Sequence, residues 1–350
     1  MGIIERTPWQ DGFRMPARFS PHERTYMAWP SQTAVRTELQ RVRDEIAAIV
    51  RGVSRFEPVT LLVNPDDAGN AREHLGDIES LDLFEVPVDD IWLRDSFSIF
   101  VKNDAGEVAL VNFPFNGWGG RVPCVHDMKA GTRTAERLGI RAYDANMICE
   151  GGGISVDGEG TLITTESVML NPNRYLGRTR EEVEHFLLNY LGAEKVIWLR
   201  EGLFEDTETD GHVDNNVEYI APGVVLAQTM RDSSNPNFEL CKENLRRLRD
   251  AKDAKGRKLE IIEMDLLPYT REPSGPHAVV PYVNYYVVNG AIVVPMLGGP
   301  EDAEALPILE KLYEDREVVA VPSTAIPLEG GGVGCVTQQQ PAGPIAKASS

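Results

Sequence analysis

The stretch Thr179–Leu199, TREEVEHFLLNYLGAEKVIWL, writes a helix and a strand end to end. Thr179 is an N-cap residue, and Glu182 completes a capping box with it. Gly192 ends the helix, because only glycine enters the left-handed conformation without strain. The apolar run KVIWL then reads as a buried strand. The same order recurs along the chain. AVRTELQRVRDEIAAIVRGVSRF places Val35, Leu39, Val42, Ile46, Ile49 and Val53 on one helical face before the strand PVTLLV. DMKAGTRTAERLG precedes IRAYDANM, NFELCKENLRRLRDAKDAKG precedes LEIIEMDL, and EDAEALPILEKLYEDR precedes EVVAVPS.

These are five helix–strand units, and the last four strands begin near residues 141, 195, 258 and 317. The first unit is longer and holds an extra helix–strand candidate around DDAGNAREHLGDIESLDLFEVPV. Strand pairs lie between units, as in YVNYYVVNGAIVVPM, where Asn289-Gly290 is a hairpin turn. A repeat of several strands and one helix points to an α/β radial array rather than a Rossmann sheet. No linker divides the chain, so residues 1–350 are expected to form one domain, with a frayed tail from about residue 340.

Composition narrows the partners. The formal net charge is −19, which argues against nucleic acid and anionic membranes and favours a cationic ligand. No apolar run reaches the length of a membrane span. The start MGIIERTPWQDGFRMP is neither a signal peptide nor, with Arg6, a myristoylation context for Gly2. Cys124, Cys149, Cys241 and Cys335 lack disulfide-framework or metal-site spacing, so reduced thiols in a cytoplasm are expected.

Four segments join turn-forming residues to ionisable groups. WLRDSFSIF holds Trp92, Arg94 and Asp95, where the Arg–Asp neighbours read most simply as a surface ion pair. EGGGISV holds Glu150, and TDGHVDNN holds His212 and Asp214, which on a strand would share a face. EGGGVGCVTQQQP holds Cys335. Neither glycine run matches a dinucleotide or P-loop fingerprint, and no further histidine or cysteine cluster completes a metal set, so no cofactor or metal is expected. Taken singly, each residue has a structural reading. Taken together, a thiol, an imidazole and three carboxylates suit displacement at a guanidinium carbon: carboxylates pair with the planar cation, the thiolate attacks, and the histidine transfers protons.

At these residues the sequence resembles the agmatine deiminase family, which is similar to the bacterial peptidyl-arginine deiminases of the guanidino-modifying (pentein) superfamily. The matching text is FRMPARFSPHERTYMAWP, WLRD, FNGWGG, EGGGISVDGEGTLITTESVMLNPNR, TDGHVDN, YVNYYVVNG and CVTQQQP, in the family's order. The resemblance implies a fivefold pseudosymmetric α/β propeller of ββαβ-type units. It implies catalytic roles for Asp95, Glu150, His212, Asp214 and Cys335, with Trp92 and Asn284 beside the substrate and Asp95 and Asp214 binding it. It also implies a cytoplasmic enzyme of polyamine biosynthesis, a homodimer, and conversion of an agmatine-like guanidine and water to a ureido product and ammonia through a Cys335 thiouronium. Two alternatives stay open: an amidinotransferase using the same intermediate, and a catalytically silent guanidine- or polyamine-binding protein. Ser155 and Gly334 stand where the family has histidines, and Phe97 and Tyr175 also depart from its pattern. These four are expected to reshape the pocket wall at the far end of the substrate.

Overall fold

The computed structural model of the protein describes residues 6–269, 278–279 and 281–348. Gly2 lies outside them. Among the described residues the strands form five separate sheets. Three are three-stranded and follow one plan. Ile154–Val156 pairs antiparallel with Thr161–Thr165, and Lys195–Leu199 then joins in parallel. Val217–Ala221, Val224–Gln228 and Glu260–Met264 repeat the pattern, as do Tyr286–Val288, Ala291–Met296 and Glu317–Pro322. A parallel partner needs a crossover connection, and each unit supplies a helix: Arg180–Leu191, Asn237–Asp250 and Pro300–Leu312. The fourth sheet has the same ββαβ core in Ile99–Asn103, Val108–Asn112 and Ala142–Asp144, with the helix Asp127–Leu138 and an added edge, Phe13–Arg14.

The fifth sheet joins the two ends of the chain. Gln338–Pro341 pairs antiparallel with His22–Ala28, which pairs in parallel with Val59–Val63 and, through it, with Leu81–Glu85. The extra helix–strand of the first unit is therefore present, as Ala68–Leu75 and Leu81–Glu85.

Local signals explain the helices. In Arg180–Leu191 the Thr179–Glu182 capping box forms, and Gly192 sits at φ 66°. Helix Leu39–Ser54 begins later than its apolar pattern, leaving Val35 buried in the preceding loop. Its Val42, Ile46, Ile49 and Val53 are fully buried. Gly52 brings this helix against the neighbouring unit, where a Cβ would lie 3.2 Å from Val319 Cγ1. Helix Asn237–Asp250 stops short of Gly256 because Asp253 turns the chain, accepting from the N–H groups of Lys255 and Arg257. No helix among the described residues is long and apolar enough to cross a membrane.

Of the tail expected to fray, residues 342–348 are described and carry backbone hydrogen bonds to the rest of the chain. The tail after Pro341 runs back over the fourth sheet. Ala342 N–H donates to Pro21 O, Val108 N–H to Pro344 O, Ala346 N–H to Val108 O and Arg141 N–H to Ala346 O, at 2.7–2.8 Å. Ala346 is buried against Tyr143 and its neighbours. A chain end stays ordered when its backbone groups have partners, and these do. Truncation after Pro341 is expected to lower unfolding free energy by a few kcal/mol, at about 0.5–1.5 kcal/mol per lost hydrogen bond. Denaturant unfolding of the full-length and truncated chains checks this.

Candidate active site

Each sheet opens its antiparallel pair from a short turn, and the five turns converge. Leu93–Ser96 precedes Ile99–Asn103 and brings Asp95. Gly151–Gly153 precedes Ile154–Val156 and follows Glu150. Val213–Asn215 precedes Val217–Ala221 and brings His212 and Asp214. Asn284 precedes Tyr286–Val288, and Cys335 precedes Gln338–Pro341. His212 and Asp214 thus share a 3-10 turn rather than the expected strand face.

Glycines permit the convergence. The Gly152 N–H donates to Asp95 Oδ1 at 2.8 Å. A Cβ on Gly152 would stand 2.4 Å from His212 Nδ1 and 2.8 Å from Asp95 Oδ1. In the second run, a Cβ on Gly331 would strike the Trp92 ring at 2.4 Å.

The polar groups are buried and ordered. His212 Nε2 lies 2.9 Å from Glu150 Oε2, and His212 Nδ1 lies 3.6 Å from Asp95 Oδ2. Arg174 grips both oxygens of Glu150, Nε to Oε1 at 2.9 Å and Nη2 to Oε2 at 3.0 Å. Trp118 Nε1 donates to Asp95 Oδ2 at 3.0 Å. Asp214 Oδ2 is 3.3 Å from Arg18 Nη2, while its Oδ1 is buried and has no hydrogen-bond partner among the described residues. Asn284 Nδ2 approaches Cys335 Sγ at 3.4 Å and Asn215 Oδ1 at 3.1 Å.

Burial and charge then set the proton affinities. Burial alone would lower the His212 pKa, but the carboxylates of Asp95 and Glu150, aided by Asp214, push it up to about 10. Burial raises Glu150, yet His212 and Arg174 outweigh it and hold its carboxyl below the usual range. Burial raises Asp95 despite His212. Burial pushes Asp214 up to about 6 against the pull of Arg18 and His212. The Cys335 thiol is driven well above its ordinary value by burial, with Asp214 and Asp95 adding to the effect.

Trp92, Asp95, His212 and Cys335 line a small cavity of about 20 Å³ together with Trp118, Thr209, Asn215 and Gly330. Glu150, Asp214 and Asn284 stand behind this wall, the first holding His212 and the last holding the thiol. Arg36 and Glu208 form an ion pair across the outer part of the cavity, each side chain about half exposed.

Several expectations are corrected. Arg94 does not pair with Asp95 at the surface. It is fully buried, with Nε on Gly334 O at 3.3 Å and Nη1 on Gln338 Oε1 at 2.6 Å. Phe97 stacks on Tyr26, and Tyr175 packs near Met169, so both fill core and neither reshapes the cavity wall. Ser155 faces the interior, its Oγ 3.0 Å from Glu218 Oε1. Gly334 is crowded by Asn284 Oδ1, which a Cβ would meet at 2.9 Å.

Arg18, Arg174, Trp118, Arg36 and Glu208 were not singled out from sequence. Arg18, Trp118 and Arg174 lie inside the motifs FRMPARF, FNGWGG and NPNR. Trp118 carried one further signal, its setting among glycines. It has φ 53°, and it and Asp210 are the two non-glycine residues with positive φ among the described residues. Arg121 latches both turns, bonding Trp118 O and the Asp210 carboxylate. Backbone strain of this kind persists where surrounding contacts enforce it.

Gly152→Ala is expected to cut kcat/KM by about 100-fold or more, because its methyl displaces His212 and Asp95. Steady-state kinetics beside a thermal melt checks this, with the melting temperature changing far less than the rate.

Comparison with known proteins agrees with this architecture. A family model of Porphyromonas-type peptidyl-arginine deiminases matches residues 14–341. The agmatine deiminase of Pseudomonas aeruginosa (strain LESB58) is 41% identical, covering 96% of this chain and 97% of the relative. That of Ectopseudomonas mendocina (strain ymp) is 39% identical, covering 98% and 99%. The solved agmatine deiminase of Enterococcus faecalis superposes with a TM-score of 0.92 at 31% identity, covering 97% of this chain and 98% of that one. The five ββαβ sheets are therefore those of the pentein propeller, and the chain belongs to the Porphyromonas-type peptidyl-arginine deiminase family as a guanidino deiminase.

Proposed function

We propose that the protein hydrolyses agmatine to its N-carbamoyl product and ammonia, with Cys335 as nucleophile. The observation that carries this reading is the state of the two carboxylates beside the thiol. Asp214 Oδ1 accepts no hydrogen bond among the described residues, and Asp95 takes its close hydrogen bonds from neutral N–H groups. Buried carboxylates left in this state favour a cation between them. A guanidinium supplies both the charge and the N–H edges.

The chemistry follows from that placement. The substrate cation offsets the carboxylates that hold the Cys335 proton, and the thiol ionises as the guanidinium enters, its proton leaving to solvent. The thiolate forms a bond to the guanidinium carbon. His212, protonated at neutral pH, gives its proton to one amino group, and the carbon–nitrogen bond breaks to release ammonia. The resulting thiouronium is attacked by water, whose proton passes to the now neutral His212. Collapse expels the Cys335 thiolate, the hydroxyl proton passes to solvent, where the released ammonia takes it up as ammonium, and the ureido carbonyl remains. Glu150 keeps His212 oriented throughout, and Arg174 keeps Glu150 ionised. Agmatine carries a second cation at its far end, which suits the acidic residue Glu208 at the cavity mouth.

Cys335→Ala is expected to abolish ammonia release from agmatine. Mass spectrometry of the wild-type enzyme quenched during turnover should show the amidine adduct on Cys335. Full turnover by Cys335→Ala would remove the mechanism. The pH dependence of kcat/KM should also be two-sided. Asp214 must be ionised to receive the cation, so activity falls as pH drops through about 6. His212 must be protonated to expel ammonia, so activity falls as pH rises through about 10. Initial rates at low agmatine from pH 5 to 11 test this, and a flat profile would contradict it.

A further inference from the structure

Arg18 lies in the segment before His22–Ala28, yet its guanidinium ends at the centre of the molecule. Its side chain is 3% exposed, and those of Asp214 and Glu218 are 0% and 1% exposed. Nη2 reaches Asp214 Oδ2 at 3.3 Å, and Nη1 reaches Glu218 Oε2 at 2.8 Å. Glu218 is fixed in turn, because Ser155 Oγ donates to its Oε1 at 3.0 Å. One buried cation is thus shared by two carboxylates: Arg18 donates its hydrogen bond to Asp214, while its shorter contact, to Glu218, is an ion pair without hydrogen-bond alignment among the described residues. Asp214 is left with one oxygen lightly held and the other free of any hydrogen bond among the described residues.

We propose that Arg18 is a positioning residue for the deimination, one that fixes Asp214 by a single oxygen and divides its charge between Asp214 and Glu218. The inference rests on the reading of Asp214 as a receiver of the substrate guanidinium. The geometry supplies the reason for the division. An arginine fully committed to Asp214 would occupy both oxygens in a fork and compete with the substrate for them. No arginine at all would leave a buried carboxylate that takes up a proton instead of a cation. Glu218 draws Arg18 to an intermediate position, in which Asp214 stays ionised near neutral pH and keeps Oδ1 available. The other charged or ionisable groups acting on Asp214 are His212 from its own turn, Asp95 and Arg94 from the turn Leu93–Ser96, and the Cys335 thiol. All of them stay in place when Arg18 or Glu218 is changed.

Two substitutions should therefore move the acid limb of kcat/KM in opposite directions. Arg18→Met removes the cation, Asp214 protonates more readily, and the limb moves up by about 1–3 pH units. At pH 7 this lowers kcat/KM by about 10- to 100-fold, chiefly through KM, and the loss shrinks as the pH is raised. Arg18→Lys restores a charge and brings the limb back toward its original place. Glu218→Gln frees Arg18 for Asp214 and moves the limb to lower pH. The measurement is ammonia release from agmatine at low concentration from pH 5 to 11, with circular dichroism to confirm folding. Should Arg18→Met fail to fold, the shift in the isosteric Glu218→Gln decides alone. A limb that stays in place in Glu218→Gln, or that moves the same way in both variants, overturns the proposal. Asp214→Asn, assayed alongside, separates the two claims. Its full activity would sink the role of Asp214, whereas its inactivity with an unmoved limb in the other variants would sink the role of Arg18 alone.

Discussion

The contact on which the site depends is the one between Glu150 and His212, buried and backed by Arg174. An unpaired carboxylate at this depth would take up a proton, and an isolated imidazole would lose one. Held 2.9 Å apart, each keeps the other charged, and the arginine fork stops Glu150 from turning away. Removing one member of such a buried set costs about 3–5 kcal/mol, because the remaining charge has no water to receive it. The same arrangement that stabilises the centre therefore keeps His212 protonated at neutral pH.

That contact also ties together parts of the chain that are far apart in sequence. Glu150, His212, Asp95, Asn284 and Cys335 come from the five turns, and Arg174 from the short helix Pro172–Tyr175. Each turn is placed by its own sheet, so the geometry of the site inherits the geometry of the ring. Rigid strands with short turns hold groups to a fraction of an ångström, which a long loop does not. The closure of the fifth sheet by Gln338–Pro341 belongs to the same logic. The strand that follows Cys335 pairs with the first long strand of the chain, and Cys335 is fixed where the two ends meet.

The repeating architecture was legible because its signals are local. Apolar periodicity, a capping box and a terminal glycine specify Arg180–Leu191 without tertiary information, and Asn289-Gly290 marks a hairpin in the same way. Gln338–Pro341 is a buried strand that periodicity passes over, since three glutamines lack the apolar signature. They are buried because the centre of the ring is polar: Arg94 reaches Gln338, and Tyr26 donates to Gln340. The acids, histidine and cysteine of the site stood out by residue type and by their place in glycine-rich turns. Arg18 and Arg174 did not, because nothing local distinguishes an arginine that ends in the core from one that ends in water. The same limit explains Phe97 and Tyr175, whose positions beside site motifs suggested a pocket wall although their side chains point into the core.

The two EGGG turns show how one backbone plan serves two purposes. Glu150 turns inward and sets the histidine. Glu329, before the cysteine, accepts from the backbone N–H groups of Arg36 and Thr37 at 2.7 and 2.8 Å and from the Thr37 hydroxyl. It is almost fully buried, so these donors replace the water it has lost. The effect is to anchor the loop that carries Arg36 to the turn that carries Cys335. Arg36 then meets Glu208 across the cavity mouth. The space left above the thiol is about 20 Å³, the room of a single water, and Arg36 and Glu208 both line it. Both side chains of the pair are half exposed, which keeps its strength low, at about 0–1 kcal/mol. So weak a pair leaves Glu208 able to exchange Arg36 for another cation at little cost.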